Sequence, residues 1–333
     1  GTVSKYEGGL LEPPPSFIEE MGSLLGFRPS FFFESTGVYG VPPYHFRKRK
    51  KLPAKALSSI VAEMNIRRIH LSILLRSEND RSNGFIPEID RDDIAEVGRN
   101  GFSVEGIAQR VREHWMLPNG PIENLVDTIE TAGGIVVPID FGTDLLDAMS
   151  QRIDGLPVLF FVNCNAPADR ARHTLAHELG HMILHTRAFL DDEEMEEEAD
   201  AFAGSFLLPA HEVRPQLRQF SLRQLANMKA YWKVSMAAIA VRASRLNLIT
   251  PYQSKMFWIE MGKLGYRKRE PNEPPKENPK RLRNLLQLHL GTLGYSRDEL
   301  ATLLHLESGR FASMYGDLLS GKSGEKPKLR LVT

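Results

Sequence analysis

Four of the chain's ten histidines fall in the run His173-Thr-Leu-Ala-His177-Glu178-Leu-Gly-His181-Met-Ile-Leu-His185, which contains the pattern His-Glu-x-x-His. Helix positions four apart are offset by only about 40°, so His177 and His181 project side by side and can share one metal ion. Glu178 sits next to them. Two neutral imidazoles can hold Zn2+ while the adjacent carboxylate takes a proton from metal-bound water, which is the chemistry of a zinc peptidase helix.

The five-residue pattern occurs by chance in unrelated chains, so it needs a third ligand downstream. The stretch Asp191 to Leu208 reads as a helix whose Met195, Ala199, Phe202, Ala203 and Phe206 share an apolar face. Glu196 lies closest to that face, being three before Ala199 and seven before Ala203, whereas Glu194, Glu197 and Glu198 are expected to point outward. Asp200, one turn further, can accept a hydrogen bond from the second ring nitrogen of a ligating histidine and fix its tautomer. The expected ligands are therefore His177, His181 and Glu196, with Asp200 behind them. An acidic run is also the ordinary way to begin a solvated helix, and residues 191–194 read as no more than that. Histidines at four-residue spacing can equally form a surface row, or bring His173 or His185 into the site.

A two-histidine, one-glutamate set beside a further glutamate is a catalytic rather than a closed structural composition. With three protein ligands a fourth position stays open for water, whose pKa zinc lowers to about 7, and Glu178 accepts its proton and later delivers it to the leaving amine. An oxyanion-stabilising group is also required. His173 and His185 read as structural or substrate-side residues, and both are candidates for this group, along with His211 and Tyr231.

At 333 residues and 42% hydrophobic content, the chain is expected to form two or three domains. Equal counts of 42 basic and 42 acidic residues give no global drive toward nucleic acid or membrane. The single Cys164 excludes an intramolecular disulfide, fits a reducing compartment, and reads as a buried small apolar residue at a strand end. Without a long apolar run or signal-peptide pattern, a cytoplasmic location is expected.

Three segments upstream of the histidines read as strands: Gly134 to Ile139, Met149 to Ile153 and Pro157 to Asn163. The middle one is polar and alternating, as expected for a sheet edge, with Ser150 and Arg152 on one face. Such an edge beside a zinc helix could take an extended peptide as a further strand. Residues 54–78 read as one long helix or two shorter ones, with Arg67-Arg68 interrupting an apolar stripe. Two amphipathic helices are expected over 103–132, broken by Leu117-Pro-Asn-Gly-Pro121, and residues 81–102 read as polar loop or short helix. Arg47-Lys-Arg-Lys-Lys51 is a basic cluster that reads first as a solvated helix lead-in, and otherwise as a phosphate-contacting remnant. Two helix-turn-helix-like pairs, at 221–247 and 296–315, read as packing units; a Pro- and Lys-rich linker at about 268–280 separates them. The tail from Ser320 to Thr333 reads as disordered.

Arg172 to His185, followed by Glu196-x-x-Ala-Asp-x-Phe-Ala203 and Leu207-Leu-Pro209, resembles the ImmA/IrrE family of metallopeptidases. Ile129 to Pro138 and Leu156 to Asn163 resemble that family's helix, first strand and later strand. The resemblance implies an α+β, mostly helical fold in which a small three-stranded sheet packs on a zincin-like HExxH helix and a following Glu-bearing helix, with further helical segments at both ends. Longer members carry an N-terminal Xre-type helix-turn-helix. Val3 to Pro15 resembles the end of its recognition helix, and Pro14 to Phe33 its last helix and exit. The two preceding helices of a complete module are missing, so DNA binding is expected only of a full-length parent. The expected division is residues 1–45 as this remnant, 46–120 as a helical connector, 121–250 as the metallopeptidase core and 251–333 as a C-terminal helical region.

The resemblance implies a zinc-dependent endopeptidase acting on a partner Xre-type repressor, with no membrane partner. The competing function is a toxin-antitoxin or transcriptional-regulator protein whose peptidase-like domain senses a partner or ligand, with DNA binding by the missing N-terminal helix-turn-helix.

Overall fold

The computed structural model describes residues 1–34, 37, 39–40, 52–78, 85–89, 103–185 and 191–320. The basic cluster at 47–51, most of 81–102 and the tail beyond Ser320 lie outside these. The chain forms two units that are not consecutive in sequence: one of residues 1–39, 63–80 and 281–333, the other of 40–62 and 81–280. Residues 1–39 thus group both with 63–80, which follow them, and with the C-terminal helices.

In the larger unit, α4 (Val104–His114) starts at Ser103, whose side chain accepts from Gly106 N, and α5 (Leu125–Thr131) starts at Asn124, whose side chain accepts from Asp127 N. These caps satisfy backbone donors that the first helical turn leaves open. The strands are β1 (Ile135–Ile139), β2 (Ala148–Gln151) and β3 (Leu159–Asn163), in the order β1-β3-β2. β1 runs parallel to β3, and β2 runs antiparallel to it with Ser150 opposite Phe160. The expected edge strand is thus an edge of this sheet, yet all four of its side chains are buried. The polar alternation marks inward hydrogen bonding rather than a solvated face.

Helix α6 (Ala168–Leu184) packs on β2, β3 and α7 (Asp192–Leu207). The α6–α7 approach needs Gly180, where an added Cβ would lie 3.2 Å from Ala199 Cα and from Phe202. The short α8 (Ala210–Gln216) leads to the pair α9 (Leu222–Trp232) and α10 (Met236–Arg245). As expected for a packing unit, that pair places Leu225, Met228, Trp232, Ile239 and Ala243 in the core. Phe257 and Met261 of α11 (Pro251–Lys263) complete it. The architecture is mostly helical with one small sheet, as the resemblance implied, and no described helix is long and apolar enough to cross a membrane.

Residues 268–280 do not form a free linker. They lie as a strap on the larger unit, where Glu270 accepts from the backbone N–H groups of Met236 and Ala237, Glu273 from that of Ala168, and Glu277 from that of Val126. Three carboxylates thus cap the starts of α10, α6 and α5, where a negative charge is favoured. Cys164 is exposed rather than buried, because the chain turns away from β3 there and Lys276 of the strap donates to its carbonyl.

In the smaller unit, α1 (Thr2–Glu7), α2 (Pro15–Leu25) and a 3-10 turn (Pro29–Phe33) accompany the second half of α3 (Ala54–Leu75). The C-terminal part supplies α12 (Arg281–Gln287), a π turn, α13 (Arg297–Leu303) and α14 (Ser308–Ser320). Phe27 pairs with Leu306, and Gly26 O accepts from Glu307 N. Arg67 and Arg68 do not interrupt the buried stripe of α3. Arg67 donates to Met314 O and stacks on Tyr315, while Arg68 stacks on Tyr39, so both guanidinium groups are buried with partners.

Candidate metal centre

Helix α6 is placed by its buried residues Leu175, Ala176, Leu179, Met182 and Ile183, which leave His177 and His181 turned together. Its N-terminal turn is fixed from the strap side: Asp169 pairs with Lys229, and Arg172 donates to Glu277 and to Ile122 O. Helix α7 starts at Asp191, which accepts from Glu193 N and Glu194 N, and buries Met195, Ala199, Phe202, Ala203 and Phe206 on the face read from the sequence. That phase carries Glu196 to the two histidines.

The Nε2 atoms of His177 and His181 are 3.0 Å apart. Glu196 Oε1 lies 3.2 Å from His181 Nε2, and Glu196 Oε2 lies 3.8 Å from His177 Nε2. The three residues are the group of His, Asp and Glu side chains among the described residues that could hold a metal ion. Zinc with bonds of about 2.0–2.1 Å has tetrahedral ligand–ligand edges of roughly 3.3 Å, which these separations bracket. His177 Nδ1 is 2.8 Å from Asp200 Oδ1. An ionised carboxylate only accepts, so the ring proton sits on Nδ1 and the Nε2 lone pair faces the centre. Desolvation opposes the charge on Asp200, but its hydrogen bond to His177 and the nearby His177, His173 and Arg245 outweigh it and hold the carboxyl below its usual range. A cation is the partner such a set of lone pairs and a carboxylate calls for, and the residues fit zinc.

Glu178 is fully buried, and its Oε2 accepts from Ser150 Oγ at 2.7 Å. Sequence reasoning placed Ser150 on an edge strand and missed this contact. The only available signal was a lone hydroxyl in the alternation of β2.

The outer histidines divide. His185 is buried, with Nδ1 2.9 Å from His181 Nδ1 and Nε2 3.0 Å from Glu198 Oε2. Both ring nitrogens are engaged inside the fold. Glu198 turns inward rather than outward, because the end of α6 brings His185 alongside it. His173 is half-buried near Asp200 and Arg245, and desolvation lowers its pKa to about 4, so it is a neutral imidazole at neutral pH. His211 stands exposed at the start of α8 beside Glu212, and Tyr231 is exposed on α9 with its hydroxyl at Gly120.

The sheet, the two metal-facing helices and the α9–α10 pair occupy one continuous stretch of chain. Residues 132–244 match the family Peptidase_M78, the IrrE N-terminal-like domain. The IrrE N-terminal-like match includes His173, His177, Glu178, His181, His185, Glu196 and Asp200, and makes this stretch similar to a metallopeptidase domain. It does not extend to the N-terminal residues that resembled a helix-turn-helix. No curated protein and no solved structure matches the chain.

Proposed function

We propose that the chain is a zinc-dependent endopeptidase in which His177, His181 and Glu196 hold the metal and Glu178 is the general base. The observation that carries this reading is the buried Glu178 carboxylate, adjacent in sequence to one ligand and held by Ser150 at 2.7 Å. When bound, zinc polarises a carbonyl and lowers the pKa of a water molecule to about 7. Glu178 takes the proton of the attacking water and returns it to the leaving amine, and Ser150 keeps the carboxylate aimed while it does so. Asp200 holds the His177 ring in the ligating tautomer. The antiparallel β2, packed on α6, is the strand along which an extended peptide would align.

The substrate we infer is a partner transcriptional repressor of the Xre type, by resemblance to the ImmA/IrrE peptidases, and the location we infer is the cytoplasm. A DNA role for the 296–315 pair is disfavoured by its surface. Helix α14 exposes Ser308, Gly309, Ala312 and Ser313, and its Arg310 is paired with Glu63. Such a face offers little for phosphates or base edges.

The test is incubation of the purified chain with candidate repressors, with zinc and with a chelator, alongside Glu178→Gln, the products being read by mass spectrometry. Wild type should cut and the chelated protein should not; Glu178→Gln should retain zinc and lose cleavage. Equal cleavage by the variant, or a zinc-loaded wild type that leaves every repressor intact, defeats this reading.

A further inference from the structure

The two histidines of the centre are backed differently, although both supports come from α7. Asp200 reaches His177 directly. His181 is backed by a second histidine: its Nδ1 lies 2.9 Å from Nδ1 of His185, whose Nε2 lies 3.0 Å from Oε2 of Glu198. His181 is fully buried, His185 nearly so, and the Glu198 side chain is 16% exposed, so water competes little for these contacts.

We propose that Glu198 is a positioning residue that sets the tautomer and orientation of His181 through His185. The proposal rests on His181 being a metal ligand. An ionised carboxylate has nothing to donate, so the bond between Glu198 and His185 requires the His185 proton on Nε2. His185 then turns its Nδ1 toward Nδ1 of His181. A hydrogen bond between two imidazole nitrogens needs one proton, and with the His185 proton held at Nε2 that proton comes from Nδ1 of His181. That leaves the Nε2 of His181 unprotonated, which is the form a metal requires.

The other tautomer, with the His181 proton on Nε2, would donate that proton to Nε2 of His177 at 3.0 Å and close both nitrogens to a metal. Glu198 works against it by holding the His185 proton at Nε2. One helix therefore supplies a ligand, Glu196, and the carboxylates that fix both imidazoles, Asp200 and Glu198. An exposed acidic residue would do none of this, and the neighbouring Glu197 is exposed.

The test uses the full chain, with Zn2+ and Co2+ as probes. Zinc dissociation constants are measured by chelator competition for wild type, Glu198→Gln and the charge-matched control Glu197→Gln, and each metal-free protein is melted. Glu198→Gln should weaken zinc by about ten- to hundredfold, as loss of an outer hydrogen-bond partner does elsewhere. Glu197→Gln should bind as wild type does. At saturating cobalt, the visible bands of Glu198→Gln should shift, a change that loss of packing alone would not produce and that remains readable if the variant is less stable. Equal zinc affinity in the two variants, or an unshifted cobalt spectrum, overturns the role of Glu198. A wild type that takes up neither metal removes the centre itself and overturns both readings at once.

Discussion

Ser150 Oγ lies 2.7 Å from Oε2 of Glu178, joining the edge strand β2 to the residue that follows the first metal-facing histidine. Both side chains are fully buried, so the hydroxyl serves a carboxylate with no water to replace it. A hydrogen bond to a charged group contributes about 1.5–3 kcal/mol, more than the net value of a neutral pair. Ser150→Ala should therefore retain zinc and lower kcat by about 10–100-fold, because the base loses its aim while the ligands are untouched. Steady-state kinetics with metal analysis checks this. Loss of zinc together with activity would show that Ser150 supports the fold rather than the base.

The strap makes a second prediction. Arg172 is almost wholly buried on α6, desolvation lowers its pKa, and Glu277 is its charged partner. Removing that partner leaves a buried cation with only the Ile122 carbonyl and the charge of Glu123 to offset it. Glu277→Leu should destabilise the larger unit by about 2–4 kcal/mol, below the full value for a buried pair because Glu277 keeps some solvent access. Adding Arg172→Met to the same chain should recover part of the loss. Urea unfolding followed by tryptophan fluorescence reads the larger unit, which holds Trp115, Trp232 and Trp258. A double variant less stable than the single one would contradict this account.

In the smaller unit, His70 is fully buried with Nδ1 2.7 Å from the Tyr315 hydroxyl, and its pKa is lowered to about 3. Desolvation is the main cause, and the charges of Arg67, His305 and Arg310 add to it, while the Leu304 carbonyl opposes it. The folded pKa lies below the unfolded value, so the unfolded state binds the proton more readily as pH falls. Stability is complete above about pH 6.5 and declines between there and pH 3, by about 2 kcal/mol at pH 5. Hydrogen exchange of α14 amides, corrected for intrinsic rate, should show lower protection at pH 5 than at pH 7. The difference should shrink in His70→Gln. Equal protection at the two pH values would remove His70 as the cause.

Much of the centre was legible in the chain itself, because it depends on local periodicity. His177 and His181 are one helical turn apart, so any helix through them brings their rings together. Glu196 and Asp200 are also one turn apart, and their phase against Ala199 and Ala203 sets which side of α7 faces inward. The strands and the helical character of α3 followed from similar short-range patterns, whereas the packing role of the α9–α10 pair followed from the family resemblance.

Contacts between distant residues were not legible, since no periodicity encodes them. Ser150 meets Glu178, and Glu198 meets His185, only because β2 and α7 flank α6 at distances set by side chains such as Gly180 and Phe202. Glu270, Glu273 and Glu277 read as linker charges until three helix starts are brought beneath them. Arg67 and Arg68 look like breaks in an apolar face until Met314, Tyr315 and Tyr39 surround them. The amino-acid order alone specified which groups could bind a metal, because their spacing acts within single helices. Packing between those helices decided which groups hold them in place, because a buried polar atom takes the partner that the fold brings within reach.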